Sequence, residues 1–171
     1  MPFQGKQKRF CYIQSNYGPA DKIFPLLCPV KEKEWLDGWN YTMVHSKSGF
    51  IEKNCVFTTP HHGEHETVWH VTEYDPNDYR IEFLRVSPGE NTVRINIDLE
   101  PISQIETNVH IRYEYTALNE EANYYIENQL KDDFCKQMKW WEKSMNHYLK
   151  TGKKLLMSSD ATDGGDSEAE L

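Results

Sequence analysis

The chain lacks any apolar run of the ~18 residues that a membrane-crossing helix requires. Its longest apolar patches, such as Ile23-Phe24-Pro25-Leu26-Leu27-Cys28-Pro29-Val30, are short and cut by proline. It lacks a CxxC pair. Cys11, Cys28, Cys55 and Cys135 stand far apart, which reads as free thiols of a reducing cytoplasm and not as a disulfide framework or a thiolate metal site. Met1-Pro2-Phe3-Gln4-Gly5-Lys6 contains no apolar stretch of the leader type, so no secretory signal is expected. There is no P-loop, no GxGxxG, no nucleophile elbow and no HExxH, which removes the sequence support for the commonest nucleotide, hydrolase and metalloprotease chemistries. Positive charge is also scarce. The formal net charge is -8, and the acids Asp160, Asp163, Asp166, Glu168 and Glu170 near the C-terminus carry five of those charges. A body of this kind has no global basic field for nucleic acid or anionic lipid, although Lys6, Lys8 and Arg9 form a small local patch.

What the chain has in quantity is aromatic side chains: 7 Phe, 10 Tyr and 5 Trp. A disordered chain is poor in these, so a packed core or a lined pocket is expected. A length of 171 residues fits one domain plus a tail. A globular chain of that size buries roughly 70% of its unfolded surface and needs no disulfide or structural metal.

Residues 8–14 read as a first strand, with Phe10 and Tyr12 alternating against Arg9, Cys11 and Ile13. Gly18-Pro19 opens a helical stretch, and Pro25 and Pro29 divide it into two short helices over about 19–27 and 29–36. From Trp39 to Ala117 the period becomes two. Strands are expected over 41–46, 51–58, 66–74, 79–86, 92–99 and 104–116, with Lys47-Ser48-Gly49 as a hairpin turn between the first two. Short connections make them an antiparallel meander. Val93, Ile95, Ile97 and Leu99, and Thr107, Val109, Ile111, Tyr113 and Tyr115, alternate with polar residues, so one face is covered and the other wet.

The cover is expected to be one helix from Asn119, as cap, to about Lys150. Ile126, Leu130, Phe134, Met138, Trp141 and Met145 recur along one stripe, and Gly152 stops it. Residues 8–152 then form the domain, and 153–171 an acidic disordered tail.

Strand, two short helices, six strands and a long helix resembles the helix-grip fold of the START-related SRPBCC superfamily. Local sequence agrees: Ala20-Asp21-Lys22-Ile23-Phe24-Pro25-Leu26-Leu27 after the first strand, Trp35-Leu36-Asp37-Gly38-Trp39 before the second, Ser48-Gly49 with Val56-Phe57-Thr58-Thr59, Trp69-His70-Val71-Thr72-Glu73-Tyr74-Asp75-Pro76, and Thr107-Asn108-Val109-His110-Ile111-Arg112-Tyr113. The resemblance covers about 8–150 and points to the branch of chaperone-ATPase-activator homologues and polyketide cyclases. It implies an α+β fold with a seven-stranded antiparallel sheet wrapped around a long C-terminal helix, and a cavity between them. The superfamily holds binders and enzymes alike, so fold does not settle function.

In such a cavity the covered-face residues are the candidate ligand contacts: Tyr41, Met43, Trp69, Ile81, Phe83, Ile95, Ile97, Val109, Ile111 and Tyr113 from strands, and Phe134, Met138, Trp141 and Met145 from the helix. For any one of them simple packing is the commoner role. His45, Arg85 and Tyr113, and also Glu73, have the parity to face inward and could orient a polar group or exchange a proton. His61-His62-Gly63-Glu64-His65 is dense in imidazole, but its spacing matches no familiar metal site, and a solvated loop is expected. Trp140-Trp141 with Lys136, Lys139 and Lys143 suggests nucleic-acid stacking, but Asp132, Asp133 and Glu142 oppose it and helix packing is the better reading.

The expected function is therefore binding of an apolar or amphipathic small molecule, lipid-like or aromatic, with no cofactor, no metal, no nucleic acid and no membrane insertion. A cyclase- or aromatase-like enzyme using His45, Tyr113 or Arg85, and a protein-interaction module, stand as alternatives, and a protein partner and the oligomeric state stay open.

Overall fold

A computed structural model describes residues 2–61 and 65–158. The element order is β1 (Gln7–Asn16), α1 (Ala20–Ile23), a 3-10 helix (Phe24–Leu27), α2 (Pro29–Trp35), β2 (Thr42–His45), β3 (Val56–Thr59), β4 (Thr67–Asp75), β5 (Arg80–Ser87), β6 (Asn91–Pro101), β7 (Thr107–Ala117), α3 (Glu120–Asn128) and α4 (Leu130–Thr151). The seven strands form one sheet in the order β1-β7-β6-β5-β4-β3-β2, and every neighbouring pair is antiparallel. This is the expected meander, with β1 returning to pair along β7.

The alternation on β6 and β7 holds. Val93, Ile95, Ile97 and Leu99, and Val109, Ile111, Tyr113 and Tyr115, are buried beneath the helix, and the opposite face carries pairs such as His110–Glu100 and Arg9–Glu114. Met138 and Met145 of α4 are fully buried, and each such side chain contributes about 1.5–3 kcal/mol by leaving water. Polar contacts fix the far end of α4 to β1. Glu142 accepts from the Ser15 backbone N–H at 3.0 Å, and Asn146 donates to the Ser15 carbonyl at 2.9 Å.

The covering helix is interrupted, contrary to expectation. Gln129 leaves helical geometry at φ -124 and separates α3 from α4. Neither glycine nor proline is involved. The Asn128 side chain donates to the Tyr124 carbonyl at 2.8 Å and so competes for the backbone, while Asp132 and Asp133 occupy the first turn of a new helix, where its positive end favours them. Asn119 caps α3 as expected, accepting from the Ala122 N–H at 2.7 Å, and Gly152 ends α4 at φ +68.

Two other expectations change. The tight hairpin at Lys47-Ser48-Gly49 is instead a connection running from Ser46 to Cys55, and β3 starts only at Val56. A bulge in β2 between Met43 and His45 shifts the register on β3. Past α4, Leu155 bridges to Leu36 and the Met157 N–H donates to Asp37 at 3.0 Å, so the chain crosses back over the end of α2 before 159–171, which lie outside the described residues.

Candidate functional site

The segment between β1 and β2 builds one wall of the interior. Pro29 starts α2, and spacings of three and four place Cys28, Pro29, Glu32, Trp35 and Leu36 on the buried face. Two indoles tie this wall to itself: Trp35 donates to the Leu26 carbonyl at 3.0 Å and Trp39 to the Pro29 carbonyl at 2.9 Å. The opposite wall is the inward face of the sheet. Phe57 stacks on Trp69 at 5.4 Å, and Phe83 meets Trp69 edge-on at 5.8 Å.

Between the walls lies an aromatic chamber of about 20 Å3, lined by Leu27, Glu32, Trp39, Phe57, Trp69, Phe83, Ile95, Ile97, Tyr113 and Trp141. Glu32 is 7% exposed. Burial among rings pushes its carboxyl up to about 8, so it is mainly protonated at neutral pH. The Trp141 indole offsets part of that penalty without forming a hydrogen bond of good geometry. Burial likewise raises the Tyr113 phenol, against the opposing pull of the nearby Arg85 charge.

Beyond Trp69 and Tyr113 the inward face turns polar. A second cavity of about 80 Å3 is lined by Thr59, His61, Thr67, Arg85, Ser87, Glu90, Asn91, Tyr115, Tyr125, Leu130 and Gln137. Arg85 is 8% exposed. Its guanidinium lies 5.2 Å from the Trp69 ring centre and 5.7 Å from those of Tyr113 and Tyr115, and it donates to the Tyr115 hydroxyl at 3.4 Å. Thr67 and Ser87 hydrogen-bond to each other at 3.0 Å, and His61 contacts Glu90. Burial raises the Tyr125 phenol, and its bond to Asp133 adds to this.

The residues expected from sequence divide as follows. Trp69, Phe83, Ile95, Ile97, Tyr113 and Trp141 line the aromatic chamber, and Arg85 lines the polar one. Ile81, Val109, Ile111, Phe134, Met138 and Met145 are buried core residues outside the lining of either cavity. Tyr41 and Met43 are half-buried at the β2 edge. His45 is exposed, and this corrects its expected inward position. The bulge after Met43 breaks the alternation, so the strand's parity fails at that residue. Glu73 is also exposed, next to a second bulge in β4. Of the histidine-rich loop, residues 62–64 lie outside the described residues; His61 reaches the polar cavity and His65 is exposed.

Glu32, the most perturbed carboxyl of the site, was missed. Its signal was present, four residues after Cys28 and three before Trp35, a position on the stripe that α2 buries. The polar end formed by Asn91, Ser87 and Thr67 was also missed, because strand periodicity marks the face of a residue and not its neighbours across the cavity.

Both cavities are far smaller than the roughly 300–1,000 Å3 of ordinary ligand sites. The aromatic chamber has room for about one water molecule. A ligand of ordinary size would therefore have to open the interior. Among the described residues no helix is long and apolar enough to cross a membrane.

No family model matches the chain, and no curated protein matches it. Solved structures do. Norcoclaurine synthase from Thalictrum flavum aligns with a TM-score of 0.65 at 12% identity over 88% of this chain and 99% of that one. An aromatase/cyclase from Streptomyces aligns at 0.62 and 10% identity over 88% and 100%. Ara h 8.0201 aligns at 0.61 and 10% identity over 85% and 99%. The fold is thus the helix-grip fold that the sequence motifs resemble. Identities this low leave the chemistry to the chain's own residues.

Proposed function

We propose that the protein binds an amphipathic small molecule in the interior between the sheet and α4. The ligand's apolar part lies against the aromatic wall, and its polar part is held by Glu32, Tyr113 or Arg85. One observation carries this reading: three ionisable side chains are buried in a single aromatic interior, where a purely structural core would do better with apolar ones. Two fold neighbours, a synthase and an aromatase/cyclase, keep an enzymatic use of the same interior as the alternative, and the protonated Glu32 favours it. The small chamber favours a different reading, in which the interior is only core and the protein acts through its surface.

Trp39, Trp69 and Trp141 line the chamber, so indole emission reports occupancy. Titration of the full chain with decanoate and with a flavonoid is expected to give saturable quenching, and titration with ATP none. Absence of any saturable change with the apolar probes, together with an unchanged melting temperature, selects the surface reading. Turnover of cyclase-type substrates by the wild type, lost in Glu32→Gln, selects the enzyme.

A further inference from the structure

At the polar end the register of the sheet lines up a row of small polar side chains across its inner face. Thr59 of β3 lies opposite Thr67 of β4, the Thr67 and Ser87 hydroxyls hydrogen-bond at 3.0 Å, and Ser87 of β5 lies opposite Asn91 of β6. Side chains paired in this way stand about 5 Å apart, so the four cross the sheet side by side. Each is more than nine-tenths buried, and all four line the cavity of about 80 Å3, which has room for several water molecules. Apolar side chains in the same row would cost less to bury.

Two features of the row fix what it takes. The Asn91 Oδ1 atom is enclosed and makes no hydrogen bond, so a donor is missing beside it. Arg85, two residues before Ser87 on the same face of β5, brings a permanent positive charge. It is more than nine-tenths buried, and its guanidinium donates to the Tyr115 hydroxyl at 3.4 Å. Hydroxyls lie between the two. Thr59 Oγ1 accepts from the Trp69 indole at 3.0 Å and keeps its own O–H to donate, and the Thr67–Ser87 pair uses only one of its two O–H groups. A cation entering the cavity would meet Arg85. A dianion would bring more charge than one guanidinium offsets, near Glu90, which His61 already contacts. A neutral diol would satisfy Asn91 and gain little from the charge.

We infer that the row Thr59, Thr67, Ser87 and Asn91, together with Arg85, is the head-group site for a hydroxycarboxylate. The ligand is a monoanion: its carboxylate lies toward Arg85 and the row's hydroxyls, and a hydroxyl on the first or second carbon from the carboxylate donates to Asn91 Oδ1. This rests on the interior-binding reading above and assigns the ligand's polar part to the polar cavity and not to Glu32. No bond is made or broken.

Mandelate and tropate carry the hydroxyl on the first and the second carbon, phenylacetate lacks it, and 1-phenyl-1,2-ethanediol lacks the charge. Each is titrated into the full chain near neutral pH by calorimetry, with decanoate as the probe of interior binding alone. The better of the two hydroxy acids is expected to bind about tenfold or more tightly than phenylacetate and than the diol, the worth of one well-made buried hydrogen bond in each comparison. Asn91→Ala is expected to bring that hydroxy acid down to the affinity of phenylacetate and to leave phenylacetate where it was. Arg85→Gln is expected to remove the advantage over the diol. Phenylacetate binding as tightly as both hydroxy acids overturns the site, because Asn91 then reads nothing. A diol that binds as tightly as the hydroxy acids overturns it as well, because the charge then selects nothing. If none of the four binds while decanoate saturates, the site falls and interior binding stands. If decanoate fails too, the interior-binding reading falls and this site with it. The wild-type series decides between these outcomes even if a variant fails to fold.

Discussion

The two ends of the interior solve the same problem in opposite ways. At the aromatic end a single acid, Glu32, sits among rings, and burial neutralises it by raising its pKa to about 8. At the polar end a base, Arg85, sits over three ring faces beside the Tyr115 hydroxyl, and the guanidinium stays charged. A carboxyl can shed its charge when water is removed; a guanidinium cannot, so the fold must supply π faces and hydroxyls instead. The aromatic chamber is nearly filled, whereas the polar cavity, with an unpartnered Asn91 Oδ1 on its wall, has about four times the space.

The largest expected effect breaks the aromatic end. Trp141 is 3% exposed and packs edge-on against Trp35 at 5.3 Å, joining α4 to α2. Trp141→Ala is expected to cost about 3–5 kcal/mol in urea unfolding. Ser87→Ala at the polar end removes one partner of the Thr67 hydroxyl pair and should cost only about 1 kcal/mol. Comparable losses at the two ends would mean that the aromatic end is less closely packed than its geometry implies.

The next effect depends on pH. The Glu32 carboxyl has an ordinary value of 4.5 in the unfolded chain and about 8 in the fold. The folded state therefore holds its proton more tightly, and this contribution to stability is lost as pH rises between those values and levels off above them. Tyr113 from β7 and the Trp141 indole from α4 face the carboxyl, and Arg85 from β5 lies beyond Tyr113. Of these, the phenol stays protonated through that range because burial raises it. On its own helix the outward Lys31 and Glu34 pair with each other on the surface. Unfolding free energy of the wild type is expected to fall by a few kcal/mol over that window, and Glu32→Gln, a neutral isostere, to remove that slope. A wild-type curve that rises through the window would place the carboxylate form in the fold.

Much of this interior was legible in sequence. Alternation on β6 and β7 assigned Ile95, Ile97 and Tyr113 to the covered face, and helical spacing assigned Phe134, Met138 and Trp141, because burial on one face is what those periods encode. The misses have particular causes. The break at Gln129 arises from a side chain competing for a backbone carbonyl, which composition without Gly or Pro conceals. His45 and Glu73 follow bulges, and one extra residue reverses a strand's parity without leaving a mark in the hydrophobic pattern. Glu32 stands among the charges Lys31, Lys33 and Glu34, which mask it in sequence, although its spacing to Trp35 sets it apart.

A smaller effect probes the charge at the polar end. Arg85→Lys keeps one positive charge but loses the planar group that spreads over Trp69, Tyr113 and Tyr115. A loss of about 1–2 kcal/mol is expected by urea unfolding, in line with partly desolvated cation–π contacts. An unchanged midpoint would show that charge alone, and not the ring contacts, holds the residue there.

The smallest expected effect lies outside both ends and tests where the interior stops. His45 shares β2 with Met43, which is half-buried, yet the bulge between them sends its imidazole to solvent, and the neighbouring Val44 is 61% exposed. β2 is an edge strand, paired on one side only by β3, so the bulge disturbs no second neighbour. His45→Ala is therefore expected to change unfolding free energy by no more than about 0.5 kcal/mol, as exposed substitutions do, and to leave the midpoints of the fluorescence titrations where they were. The opposite change is informative as well. Deleting Val44 removes the extra residue but leaves His45 opposite Val56, directly after Met43 and therefore on the face away from Phe57, so the imidazole is expected to stay in solvent and stability to change little through His45 itself. A strong effect of His45→Ala in the intact strand would mean that the binding interior extends past Met43 to the sheet's edge.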